Sequence, residues 1–156
     1  MTATAIRLAN TNDIEQVTAL FDAYRQFYSQ PADIVLSRQF IADRMRKGES
    51  VILVAESDAA VTGTSGLTGF CQLYPGFCSV LAQPIYTLYD LFVAPEARNT
   101  GAGRALLVAA HEHARANGFS RLDLSTARSN HAAQALYESL GWQRDEVYFS
   151  YSKTLP

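Results

Sequence analysis

Residues 86–107 read YTLYDLFVAPEARNTGAGRALL, and this run decides how the rest of the chain is arranged. Tyr86, Leu88, Leu91, Phe92 and Val93 crowd aromatic, aliphatic and β-branched side chains into one short run, the composition of a strand covered on both faces. Pro95 ends it, because proline has no N–H to offer a ladder. Arg98-Asn99-Thr100-Gly101-Ala102-Gly103-Arg104 follows, and then strong helix formers over residues 105–116. Glycines at a helix start let the backbone approach a bound group, and the unpaired N–H groups there point at it. With the positive end of the helix dipole and with Arg98 and Arg104 nearby, the run predicts an anion site, most naturally for phosphates. It is not the dinucleotide fingerprint, since Gly101-Ala102-Gly103 lacks a third glycine at Leu106, and Gly-Lys-Ser/Thr is absent from the chain. What remains is R-x-x-G-x-G between a strand and a helix, which an ordinary glycine-rich turn also satisfies.

Working outward, residues 5–8 suggest a short first strand. Asn10-Thr11-Asn12-Asp13 gathers capping residues ahead of a helix whose apolar stripe is Ile14, Val17, Leu20, Phe21, Tyr24, Phe27 and Tyr28. The aromatic end of that stripe, Tyr24, Phe27 and Tyr28, fits plain packing or the wall of an acceptor pocket. A second helix is expected over residues 32–47, with Ile34, Leu36, Phe40, Ile41 and Met45 inward and a basic end before Gly48. Residues 50–56 and 60–74 read as two strands of a hairpin whose turn lies between Ser57 and Gly66. After the glycine-loop helix, residues 121–126 form a fifth strand and Asn130 caps a last helix carrying Ala133, Leu136, Tyr137 and Leu140. Residues 146–152, EVYFSYS, alternate as a terminal strand.

The order is β-α-α-β-β-β-α-β-α-β: an α+β fold with a mixed, mostly antiparallel sheet and flanking helices. Short connections make the early strands antiparallel, whereas the strands either side of the glycine-loop helix should run parallel. The 156 residues, 48% hydrophobic and 18% charged, predict one globular domain over 1–156. A net charge of −2 gives no general attraction to nucleic acid or to an anionic membrane. The amino terminus has no secretory pattern and no apolar run is long enough to span a bilayer. Cys71 and Cys78 are expected as free thiols, which points to a reducing, cytoplasmic setting. The three histidines have no ligand spacing, so no metal is expected.

Two blocks carry a family resemblance: VAPEARNTGAGRAL, and STARSNHAAQALYESLGWQRDE with its N-x-x-A-x-x-x-Y-x-x-x-G-W spacing. Together, in this order, the chain resembles the GNAT superfamily of acetyl-CoA-dependent N-acetyltransferases over nearly its whole length. IYTLYDLFV is similar to the fourth strand of the small-amine members, the polyamine and thialysine acetyltransferases, which carry two adjacent acidic residues where this chain has Tyr89 and Asp90. The resemblance implies transfer of an acetyl group from acetyl-CoA to a primary amine. It implies that Arg98, Asn99, Thr100, Gly101, Ala102, Gly103 and Arg104 hold the pyrophosphate and that main-chain groups of Phe92 and Val93 meet the pantetheine arm. It further implies that Asn130 contacts the cofactor and that Tyr137 protonates the departing sulfur. Superfamily members are often dimers, so a homodimer is a further expectation.

Asp90 is the informative acid. A carboxylate in an otherwise apolar strand is costly unless it has partners or a task. It is expected as a base, as an anchor for a cationic amine, or as a hydrogen-bonded structural group. Glu56 and Tyr74 are further candidates for the same cleft. A small-molecule amine is the favoured acceptor. Acetylation of a protein lysine or amino terminus, and a non-catalytic acyl-CoA sensor, are the competing readings.

Overall fold

The computed structural model describes residues 4–57 and 66–156. The expected turn between Ser57 and Gly66, with Val61, lies outside the described residues. Two compact units, up to residue 124 and from residue 125, are taken separately.

In the first unit, β1 (Ala5–Leu8), β2 (Val51–Ser57), β3 (Gly66–Cys78), β4 (Gln83–Val93) and β5 (Arg121–Asp123) form one sheet in sequential order. The first four are antiparallel and β5 runs parallel to β4. Asn10 and Asp13 make a reciprocal capping box that launches α1 (Ile14–Phe27), and Asp33 caps α2 (Ile34–Lys47) by accepting from the Leu36 N–H. Gly48, at φ 62°, closes α2 in the left-handed conformation. Val17, Leu20 and Phe21 of α1 and Ile41 of α2 pack on Ile52, Val54, Phe70 and Phe92 of the sheet. Ile34 and Leu36, expected inward, are exposed, while Ser37 is fully buried at the α1–α2 contact, where its hydroxyl donates to Asp22.

The helix α3 (Ala102–Ala116) covers the opposite face. A side chain on Gly69 would meet Leu106 of α3, whereas its neighbour Phe70 points into the α1 cluster. The expectation of a central strand covered on both faces is met by β4, with helices on either side.

One irregularity in β4 positions the site. Gln72 pairs with Asp90, but the next residue, Leu73, pairs with Leu88, so Tyr89 is an extra residue in the ladder. Tyr86 and Asp90, four apart, would share a face in a regular strand. Instead the Tyr86 ring stacks on Phe119 just beyond α3 at 3.7 Å, and Asp90 faces the α1 side beside Tyr24. The bulge turns Asp90 to the α1 face and leaves Tyr89 exposed.

In the second unit α4 spans His131–Ser139, and Asn130 accepts from the Ala133 N–H as its cap. The terminal strand expected over residues 146–152 is corrected: that segment carries no strand. The Asp145 carboxylate accepts from the N–H groups of Val147 and Tyr148, closing a local turn with donors a strand would have offered to a neighbour. Alternation alone does not make a strand when no ladder partner takes it up. Among the described residues no helix is long and apolar enough to cross a membrane.

Candidate active site

A cavity of about 390 Å³ opens between α1, α2 and the sheet, lined by Phe21, Tyr24 and Arg25 of α1, Phe40 of α2, Tyr74 of β3, and Tyr89 and Asp90 of β4. The helical spacing of Phe21, Tyr24 and Arg25 puts them on one side of α1. Phe21 stacks on Phe40 at 5.3 Å, and Tyr74 meets Tyr89 edge-on at 5.7 Å.

Asp90 is the acid of this cavity and is only 2% exposed. Its carboxylate accepts from the side-chain amide of Gln72, itself fully buried. Ser50 Oγ lies 2.8 Å from Gln72 Oε1, and its hydroxyl donates there, which fixes which end of the amide faces Asp90. The Tyr24 hydroxyl lies within reach of two acceptors, the Asp90 carboxylate and the Tyr89 carbonyl at 3.2 Å. Burial pushes the Asp90 carboxyl above its ordinary range, and the hydrogen bonds from Gln72 and Tyr24 only partly offset this. Burial and the Asp90 charge hold the Tyr24 and Tyr74 hydroxyls far above their usual range, so at neutral pH both are donors, not anions.

Of the acceptor-side residues singled out from the sequence, Tyr24, Tyr74 and Asp90 share the cavity wall. Phe27 and Tyr28 stand at the exposed end of α1, outside the lining. Glu56 is engaged elsewhere, accepting from Arg7 at 2.6 Å in a cluster with Asp13. Phe21, Arg25, Phe40, Tyr89 and Gln72 were missed as site residues. The first two are legible as neighbours of Tyr24 on its helix, and Gln72 as a lone amide in an apolar strand.

The glycine loop leads into α3 through Gly101 at φ 91°, a conformation that favours glycine. The first intrahelical bond runs from the Ala105 N–H to the Gly101 carbonyl at 2.9 Å, so the amides of Ala102, Gly103 and Arg104 precede the ladder. No side chain caps this end: the Thr100 hydroxyl turns back to the Ala97 carbonyl at 2.7 Å. A side chain at Gly101 would meet nothing within 4 Å, so the space beside it is open. Asn99 is exposed at φ 62°, and Arg104 is exposed on the first turn. Arg98 folds back: its Nε donates to the Val93 carbonyl at 3.1 Å and its guanidinium lies over the Phe92 ring.

Strand β5 pairs only with Ile85, Tyr86 and Thr87. Beyond Thr87, the edge of β4 that faces away from β3, including Phe92 and Val93, has no ladder partner among the described residues. Both cysteines are free, Cys71 buried with its thiol pushed up to about 12 by desolvation. No group of three or more His, Cys, Asp or Glu among the described residues is placed to hold a metal ion. In the second unit Tyr137 is half-buried on α4, its ring 6.0 Å from that of Trp142.

Residues 17–142 match the model of the Acetyltransferase (GNAT) family. The chain is 42% identical over 151 residues to the uncharacterized N-acetyltransferase YhfO of Bacillus subtilis, covering 97% of each chain. It is 30% identical to a probable acetyltransferase of Haemophilus influenzae across 84% of each. The crystal structure of a probable acetyltransferase superposes with a TM-score of 0.88 at 35% identity, covering 97% of this chain and 98% of the other.

Proposed function

The chain belongs to the acetyltransferase (GNAT) family and is an acetyltransferase; from that premise we propose that it moves an acetyl group from acetyl-CoA directly to a primary amine of a small molecule seated beside Asp90. The observation that carries this reading is the buried carboxylate itself. A bulge spends an irregular ladder to turn Asp90 toward a cavity walled by aromatic rings, and burial raises its basicity. Such a group attracts an ammonium ion and takes the proton that must leave before nitrogen can attack.

The donor end supports the same reading. The uncapped tip of α3, the open space at Gly101 and the unpaired edge of β4 suit a diphosphate joined to an extended amide-bearing arm. Gly101, Ala102, Gly103 and Arg104 would hold the diphosphate, with Asn99 and Thr100 shaping the loop. Phe92 and Val93 would offer main-chain groups to the arm, and Arg98 would swing from the Val93 carbonyl to do so. The bound thioester supplies an activated acetyl group. Asp90 first passes the ammonium proton on to water; the neutral amine's N–C bond then forms as the C–S bond breaks, Asp90 receives the second proton lost by nitrogen, and Tyr137 gives a proton to the departing sulfur. Asn130, beyond its capping role, is assigned to the cofactor side.

The test is release of free thiol from acetyl-CoA in the presence of a panel of primary amines. Turnover with at least one small amine is expected. Donor binding without thiol release on any amine would overturn the reading in favour of a sensor, and turnover restricted to peptide lysines or amino termini would overturn the small-molecule acceptor.

A further inference from the structure

The same cavity holds a cation. Arg25 lines the wall with Asp90, its side chain 18% exposed. One end of its guanidinium is tethered: Nη1 lies 3.6 Å from Asp22 Oδ1 and 3.4 Å from Ser37 Oγ. Asp22 is itself locked by donors, the Asp33 N–H, the Ser37 hydroxyl and the Gln26 amide. The Nε and Nη2 donors of Arg25 make no hydrogen bond among the described residues. The guanidinium is mostly buried, yet its remaining donors are not buried orphans, so they face the solvent of the open cavity and are free to meet a ligand there. The group that matches a planar fork is a carboxylate.

We propose that the acceptor is an amino acid, its ammonium group facing Asp90 and its carboxylate held by Arg25. This rests on the amine-acceptor reading above and narrows it. The opposed charges give the cavity a polarity that a zwitterion satisfies at both ends. A polyamine would set a second ammonium against Arg25, so the polyamine-like placement suggested by IYTLYDLFV is disfavoured. The volume of about 390 Å³ sits at the small end of the roughly 300–1,000 Å³ typical of small-molecule sites, which leaves room for one amino acid. The Phe21–Phe40 stack and the Tyr74 and Tyr89 rings favour an apolar or aromatic side chain.

The experiment compares thiol release from acetyl-CoA for matched pairs, phenylalanine with phenethylamine and leucine with isopentylamine, alongside spermidine. It is run with the native chain and with Arg25→Gln and Arg25→Lys. The expected kcat/KM for each acid exceeds that of its decarboxylated partner by about tenfold or more, as one charge-assisted pair supplies. Arg25→Gln should raise KM for the acid, leave most of kcat, and collapse the preference; Arg25→Lys should keep part of it. If Arg25→Gln fails to fold, the native preference alone decides. Equal or better turnover of the decarboxylated amines or of spermidine overturns this inference while leaving the amine reading intact. Absence of thiol release with every compound overturns both.

Discussion

Gln72 and Asp90 face each other across β3 and β4, each less than 3% exposed, and the amide of one donates to the carboxylate of the other. Gln72 is therefore a positioning residue for the acid. Replacing it with leucine keeps the bulk and deletes the donor. Asp90 is then left with Tyr24 alone, which should cost about 1–3 kcal/mol in urea unfolding at pH 8. Losing a bond that favours the charged form raises the Asp90 pKa further, so the acid limb of the pH–rate profile should move to higher pH. An unmoved limb would separate Gln72 from the chemistry.

Asp90 itself should weaken the fold at neutral pH. Its folded pKa lies above the unfolded value near 3.8, so the folded state binds the proton more tightly. Stability contributed by Asp90 therefore falls as pH rises from about 4 through the raised folded value, and stays low above it. Asp90→Asn should be more stable than the native chain at pH 7.5, with the gain shrinking toward pH 4, as thermal melts across that range will read. The same substitution should raise KM for the amine and depress kcat. Asp13 has the opposite sign: the bidentate Arg7 partner lowers its pKa, so its contribution is present above about pH 4 and is lost as pH falls below it.

Gly69 has a packing role that its spacing in the sequence does not disclose. A Cβ there would stand 2.9 Å from the Phe92 carbonyl, 3.3 Å from Val93 and 3.4 Å from Leu106. The nearest atom is backbone, which cannot move aside alone. Gly69→Ala should cost about 1–3 kcal/mol by chemical denaturation, and an unchanged midpoint would mean that β3 and β4 separate without strain.

Much of this was legible in the residues. Asn10 announced a helix start, Gly48 a helix end, and the apolar runs of β2 and β4 named two interior strands of the sheet. Gly101 and Gly103 marked the loop end and the first turn of α3. Asp90 stood out as the charge in an apolar run. The bulge at Tyr89 was not legible, because it is a property of the register between two strands, and neither strand alone encodes it. Gln72 is legible as a lone amide in an apolar strand, but its pairing with Asp90, 18 residues away, was not legible for the same reason. Residues 146–152 misled for the converse reason: their period was that of a strand, but Asp145 ties up two of their amides.

The two ends of the reaction should separate under mutation. Gly103→Glu sets a carboxylate where the diphosphate is expected, and should abolish acetyl-CoA binding by calorimetry while leaving the melting temperature within a few degrees. Tyr137→Phe should instead lower kcat by about tenfold or more, with little change in donor affinity. Equal loss of affinity in both variants would make Tyr137 a binding group and remove it as the acid.

The most direct measurement is a crystal structure of the chain with acetyl-CoA and the best amine from the thiol-release panel. The account predicts the diphosphate on the amides that follow Gly101, and the amine nitrogen within hydrogen-bonding distance of the Asp90 carboxylate or one water from it. A diphosphate bound away from α3, or an amine seated outside the cavity with Asp90 still paired only to Gln72 and Tyr24, would contradict it.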